Sequence, residues 1–235
     1  MKARSTALAQ ANGPAAKGKR APKRSDGRKR LPFAERRAQI LEQAENFFSE
    51  YGLTAQTRAL AEACGISQRL LYRFFPTKAA LLDKVYEDAI LGPFKAVWID
   101  QLTDPSWPVE ERLVHFYRDY FSVVLTRKWL RLFLYSSLAE GRMAPDYIDA
   151  IIKRLMKTIA EAVAAEQGLK LPDDEAVVHE IGWTLHGTIS HFAIRKHLYH
   201  VSQTVPEETV IRIHVRAFLS GFRAMVLEYQ DSPQN

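Results

Sequence analysis

The sequence predicts an all-α protein: an N-terminal helix-turn-helix unit followed by a larger C-terminal helical bundle. Three observations carry this. Residues 57–82 place glycine, serine, proline and threonine between short apolar runs, where helices stop and start. Beyond residue 84, apolar residues recur at three- and four-residue spacing, and strand-like alternation is absent. Hydrophobic residues make up 47% of 235 positions, enough for a sizeable core in one or two domains.

The opening segment is different in kind. Within residues 1–30, ten Lys or Arg stand against Asp26 alone, a net +9 that leaves −3 for the other 205 residues of a chain at +6. This stretch is rich in Ala, Gly, Pro and Ser and nearly lacks large apolar side chains, so burial cannot offset the entropy of ordering it. Residues 1–32 are therefore expected to form a disordered basic arm that contacts DNA phosphates or reaches into a minor groove. The alternative is a solvated tail. The arm has no apolar stretch of secretory length, and no run of about 18 apolar residues occurs anywhere, so no membrane partner is expected. A single cysteine, Cys64, fits a reducing compartment, and the expected location is cytoplasmic.

A first helix is predicted over residues 34–51. Gly65 follows Leu60, Ala61, Ala63 and Cys64, where a left-handed glycine can end a helix, and Ile66 reads as the apolar plug between two helices. Ser67 is a good N-cap for a helix with Leu70, Leu71 and Phe74 on or near one face and Gln68, Arg69, Tyr72 and Arg73 left largely free. Pro76 ends that helix, and Thr77 caps the next. Lys78 then stands in a first turn, where a cation opposes the helix dipole unless a phosphate arrives to meet both it and the free amides. This is the layout of a helix-turn-helix that docks on DNA.

The helix starting at Thr77 is expected to run to about residue 98, with Leu81, Leu82, Val85 and Ile90 inward and a bend at Gly92-Pro93. A turn over 101–108 contains Asp104-Pro105 and Trp107-Pro108. Helices are then predicted over 109–125 (Leu113, Phe116, Tyr117, Tyr120, Val124) and over 128–140, stopped by Gly141 (Leu130, Phe133, Leu134, Leu138). Pro145 opens another to 167, stopped by Gly168, with Ile148, Ile152, Leu155, Ile159 and Val163 inward. Asp173 and Asp174 open a long helix to about 200, and Thr204 with Pro206-Glu207-Glu208 starts the last, to about 229. The expected domains are a DNA-binding unit over 33–78, a bundle over 79–230 and a flexible tail over 231–235.

Leu60-Ala61, Cys64-Gly65-Ile66-Ser67, Leu71-Tyr72-Arg73-Phe74-Phe75 and Lys78-Ala79-Ala80-Leu81 stand in one register. They match an Ile/Leu-Ala pair, Ala-Gly-Val-Ser, Leu-Tyr-x-x-Phe and Lys-x-x-Leu, so residues 34–84 resemble the TetR family of bacterial transcriptional regulators. The departures are a loop after Gly52 one residue shorter than usual, Gln56 in place of a capping threonine, and Cys64 in place of alanine.

The resemblance implies a DNA-binding set of Thr57, Arg58, Ser67, Gln68, Arg69, Tyr72, Arg73 and Lys78. Gln68 and Arg69 would reach base edges, Arg a guanine and Gln an adenine. Arg58 would touch a base or phosphate, while Thr57, Tyr72 and Lys78 would clamp phosphates. Tyr72 could instead pack on the first helix, Arg73 could be a solvated charge, and Cys64 reads as a small core residue.

The resemblance also implies a homodimer through the last two helices. Val177, Ile181, Leu185, Ile189 and Phe192 on one, and Val210, Val215, Phe218, Leu219 and Phe222 on the other, are compatible with that, as are the small Gly182, Gly187, Ser190, Ser220 and Gly221. Each set could serve the intrachain core instead. One reading helix covers few base pairs, which independently favours two half-sites on a two-fold axis.

A ligand cavity is implied among the bundle helices, with Phe116, Tyr117, Tyr120, Phe133, Met156, Trp183 and His186 as candidate lining for a largely apolar inducer, although aromatics at this spacing also serve as plain core. His197 and His200 lie i,i+3 but without a Cys or carboxylate cluster, so no metal is expected. The sequence holds no Gly-rich phosphate loop, Gly-x-Ser-x-Gly, His-Glu-x-x-His or Cys-x-x-Cys, so neither catalysis nor a cofactor is expected. The function expected is a ligand-responsive repressor on a palindromic double-stranded DNA operator, with the helix after Thr77 coupling the two ends. The alternative is a DNA-organising protein of the same fold without an inducer.

Overall fold

Helix ends in this chain are set where side chains or glycines satisfy the orphaned backbone groups, and the N-terminal half shows this repeatedly. The computed structural model describes residues 31–139 and 142–230, and all regular structure among them is helical. The first elements are α1 (Phe33–Tyr51), α2 (Thr57–Ala63), α3 (Gln68–Phe74) and α4 (Lys78–Val85). Gly65 takes φ +64°, the Ile66 amide donates to the Ala61 carbonyl at 3.0 Å and the Gly65 amide to Glu62 at 3.0 Å, closing α2 in a Schellman motif. Ser67 Oγ accepts from the Leu70 amide at 3.2 Å and Thr77 Oγ1 from the Ala80 amide at 3.0 Å. Gln56 precedes α2 without a side-chain cap.

The expected helix to residue 98 is not formed. After α4 the winding loosens into a π-helical turn (Tyr86–Leu91), with the Gly92 amide donating to Glu87, five residues back, at 2.9 Å. Pro93 has no N–H to continue the ladder, and the chain breaks there. A separate helix, α5 (Val97–Thr103), follows because Trp98 and Leu102 bury their side chains, Trp98 edge-on to Phe116 at 5.8 Å. The predicted 101–108 turn thereby begins only at Asp104, whose Oδ1 accepts from the Ser106 amide at 2.9 Å.

α6 (Val109–Val123) and α7 (Arg127–Leu138) come next, with Thr126 Oγ1 accepting from the Trp129 amide at 3.3 Å. Gly141, the expected stop, lies outside the described residues. α8 (Met143–Tyr147) begins before Pro145, which sits in the first turn where a missing N–H is harmless. A second π-helical turn (Ile148–Ile152) leads into α9 (Lys153–Gln167), closed by Gly168 at φ +64°. Asp174 caps α10 (Glu175–His197) by accepting from the Ala176 amide at 2.8 Å, and α11 (Glu207–Gln230) completes the fold. α10 stops short of the expected residue 200, and His200 takes φ +53°.

Ile40, Leu41, Phe48, Leu60, Leu71, Leu81 and Val85 form the core of the first four helices. In the bundle, α9 packs on α5, α6 and α10, while α11 packs on α6 and α10. Buried Arg112 joins three of these elements, donating to the Leu102 carbonyl at 2.7 Å and to Glu166 Oε2 at 3.0 Å. Of the small residues expected at a dimer interface, Gly182 is used within the chain. A Cβ there would lie 2.7 Å from Met156 Cβ and 2.9 Å from its carbonyl oxygen.

From Phe33 onward the described residues form one compact unit, in which α7 grips α1. Lys128 Nζ donates to Glu45 Oε2 at 2.7 Å, Arg127 pairs with Glu50, and Arg131 donates to the carbonyls of Ser49 and Glu50. Cations at a helix C-terminus also suit its dipole. The predicted basic arm, apart from residues 31 and 32, and the predicted tail lie outside the described residues. No helix among the described residues is long and apolar enough to cross a membrane.

Candidate DNA-binding surface and ligand cavity

The Schellman turn and the two hydroxyl caps fix α3 against α2 and α4, and the exposed side of α3 carries Gln68, Arg69, Tyr72 and Arg73. Leu71 is buried on the opposite side, with Leu70 and Phe74 half-buried, and Phe33 of α1 stacks on Phe74 at 4.6 Å. Arg69 and Arg73 have no hydrogen bond or ion pair among the described residues.

Three of the predicted site residues meet in a small network. Thr57, only 7% exposed, sits 2.9 Å from the Tyr72 hydroxyl and accepts from Gln68 Nε2 at 3.1 Å. Tyr72 is 38% exposed, and its polar partner lies on α2 rather than α1. Gln68 keeps its carbonyl oxygen and a second N–H for a base edge. Lys78 Nζ donates to the Ala55 carbonyl at 2.8 Å, bracing α4 against the loop before α2 and leaving two ammonium N–H groups. Arg58 pairs with Glu62 at 3.3 Å on the exposed side of α2, and the Ser67 hydroxyl is engaged in its cap. Cys64 is half-buried against the core, and burial pushes its thiol pKa up.

The bundle holds an aromatic cavity of about 120 Å³. Its walls include Tyr120, Trp129, Phe133, Tyr147, Trp183 and His186. Of the predicted lining, Tyr120, Phe133, Trp183 and His186 are brought together there; Phe116, Tyr117 and Met156 are fully buried and do not line it. Trp129 and Tyr147 were not singled out from the sequence. The i,i+4 spacing of Trp129 and Phe133 was the available signal, and their rings stack at 4.6 Å and 14°. Tyr147 donates or accepts across 3.0 Å with Tyr120, and Tyr117 faces His186 Nδ1 at 3.5 Å. Burial pushes the pKa values of Tyr117, Tyr120 and Tyr147 up and that of His186 down to about 4, so all four groups are neutral near pH 7.

One wall is tied to the turn that follows α4. Trp129 Nε1 donates to the Ile90 carbonyl at 3.2 Å, in the π-helical turn that continues α4. A larger cleft of about 400 Å³ lies beside Arg112 and Glu166, whose charges already pair with each other. His197 packs on Phe121 at 5.8 Å and His200 falls beyond the helix end, so the two do not share one helical face. Among the described residues no group of three His, Cys, Asp or Glu is placed to hold a metal.

Residues 40–85 match the family model described as bacterial regulatory proteins, tetR family. In structure the chain is similar to a TetR-like transcriptional regulator from Rhodococcus sp. RHA1, at 19% identity and a TM-score of 0.61, covering 83% of this chain and 99% of that one. It is also similar to a TetR-family regulator from Mesorhizobium loti MAFF303099 (16% identity, TM-score 0.57, 83% and 98% covered). The fatty acid degradation regulator FadR from Bacillus halodurans is similar to the same degree (17% identity, TM-score 0.57, 81% and 96% covered). No curated protein matches the chain in sequence.

Proposed function

We propose that the chain, whose residues 40–85 match the amino-terminal domain of the TetR family, is a DNA-binding transcriptional regulator that acts as a homodimeric repressor released from a palindromic operator by a small apolar ligand. The observation that carries this is the exposed side of α3, where Arg69 and Arg73 stand uncommitted on a helix capped at its start by Ser67. Arg69 and Gln68 read base edges in the major groove. Thr57, Tyr72, Lys78, Arg58 and Arg73 position the phosphate backbone, and the basic arm adds sequence-independent attraction. The protein acts where its DNA is, in the cytoplasm, and without a catalytic step.

Dimerisation is supported by α11. Ile213, Ala217, Ser220, Ala224 and Leu227 follow a 4-3-4-3 spacing along one side and lie at the surface, with Ile213 56% and Leu227 47% exposed. Such a seam suits a second helix. Gly187 on α10 and Gly221 on α11 have no heavy atom within 4 Å of an added Cβ, which leaves room for close approach.

The aromatic cavity supports ligand response, and the Trp129–Ile90 bond supports a route from it to α4 and Lys78. A ligand releases DNA only if it binds the DNA-incompetent arrangement more tightly than the competent one.

Selection of bound duplexes from a random DNA pool with the full-length protein tests the reading. An enriched palindrome occupied by two protomers is the expected result. Unenriched binding with a steep salt slope would instead identify a DNA-organising protein of the same fold.

A further inference from the structure

The aromatic cavity also carries information on what it takes, granted the ligand-responsive reading above. No Lys, Arg, Asp or Glu lines it, so a charged ligand would enter without a counter-charge. Its volume of about 120 Å³ is close to that of cavities of about 150 Å³ that hold a benzene ring. The stacked Trp129 and Phe133 provide a flat wall.

The hydrogen-bonding groups lean toward donation, although Ser190 also lines the cavity with a hydroxyl that both donates and accepts. The Tyr120 and Tyr147 hydroxyls lie 3.0 Å apart, and one donates to the other, so the pair retains one O–H with no use inside it. Tyr117 is fully buried, and the contact that satisfies its hydroxyl is donation to His186 Nδ1 at 3.5 Å. That tautomer puts the proton of the neutral imidazole on Nε2. Trp183 adds an indole N–H, which can only donate. Neither the Trp183 N–H nor the His186 Nε2–H has a hydrogen-bond partner among the described residues, so an acceptor entering the cavity meets free donors.

We propose that the cavity binds a neutral, single-ring-sized apolar compound through a carbonyl oxygen that accepts from His186 Nε2 and from the Tyr120–Tyr147 pair. The ring lies among the aromatic walls and the oxygen supplies the missing acceptor. A ligand of the same shape without the oxygen leaves the donors unmet, and a carboxylate meets them but loses its hydration without a cation.

The test uses three probes on the full-length protein: acetophenone, ethylbenzene of nearly the same shape, and benzoate. Calorimetry is expected to rank acetophenone about tenfold or more above ethylbenzene, with benzoate weakest. His186→Phe is expected to bring acetophenone and ethylbenzene within about twofold of each other, and Tyr147→Phe to narrow the gap part-way. Thermal melting of each variant checks that it is folded. Equal binding of ethylbenzene, tighter binding of benzoate, or binding of none of the three would overturn the proposal. Operator release is read separately by fluorescence anisotropy. Acetophenone bound with the expected preference but without release would uphold the ligand chemistry and remove the ligand-responsive reading.

Discussion

Lys78 shows how one side chain can brace two elements and still keep donors to spare. Its ammonium bonds the Ala55 carbonyl and lies 5.9 Å from the Phe48 ring centre, and partial burial holds its pKa below the ordinary lysine value. From sequence the cation at the start of α4 was unexplained without a phosphate; the carbonyl across the loop supplies part of the explanation. Thr57, Tyr72 and Gln68 hold one another in place, the buried Thr57 hydroxyl joining the two exposed side chains of α3. His186 gives a stability prediction. Its pKa falls from 6.5 unfolded to about 4 folded because burial penalises the charged ring. Between those values the unfolded chain binds more protons, so this residue lowers stability as pH falls from 6.5 toward 4 and costs nothing above 6.5. His186→Phe should therefore remove about 2 kcal/mol of the stability lost between pH 7 and pH 5, measured by urea unfolding. His197 and His214 shift the same way, so the difference between the two proteins isolates His186. Equal losses in both would refute its burial as a neutral ring.

Among the elements, α7 has three neighbours at once. Arg127, Lys128 and Arg131 hold the end of α1, Trp129 and Phe133 line the cavity, and Trp129 also bonds the π-helical turn after α4. Trp129→Phe should keep an aromatic wall yet lose the bond to Ile90. Ligand and operator should each still bind within about threefold, while saturating ligand releases much less operator in an anisotropy titration, since about 1–3 kcal/mol of hydrogen-bond energy leaves the link. Undiminished release would place the coupling elsewhere. The N-terminal helices were largely legible in the sequence because Ser67, Thr77 and Gly65 act on their own neighbours. α5 was not, because Gly92-Pro93 looks like a bend locally, and only the burial of Trp98 against α6 makes the following residues a helix of their own. The two π-helical turns have no local signal of that kind.

At the scale of the molecule, α10 and α11 divide their faces between core and surface. Ile181, Leu185, Ile189, Phe192, Val215, Phe218 and Phe222 are buried within one chain, while the seam from Ile213 to Leu227 lies at the surface. The apolar spacing identified both helices but not which face does which, because an amphipathic pattern does not say whose core it fills. The cavity was legible only in part for the same reason: four of the aromatic or imidazole side chains that the resemblance implied line it, while Trp129 and Tyr147 depend on how α7 and α8 pack. Whether α3 reads DNA sequence is answered by a second selection from the random pool with Arg69→Ala. The predicted result is a palindrome of unchanged spacing that has lost preference at one position of each half-site, worth about 1–3 kcal/mol there. The same motif at full preference from both proteins would contradict the account.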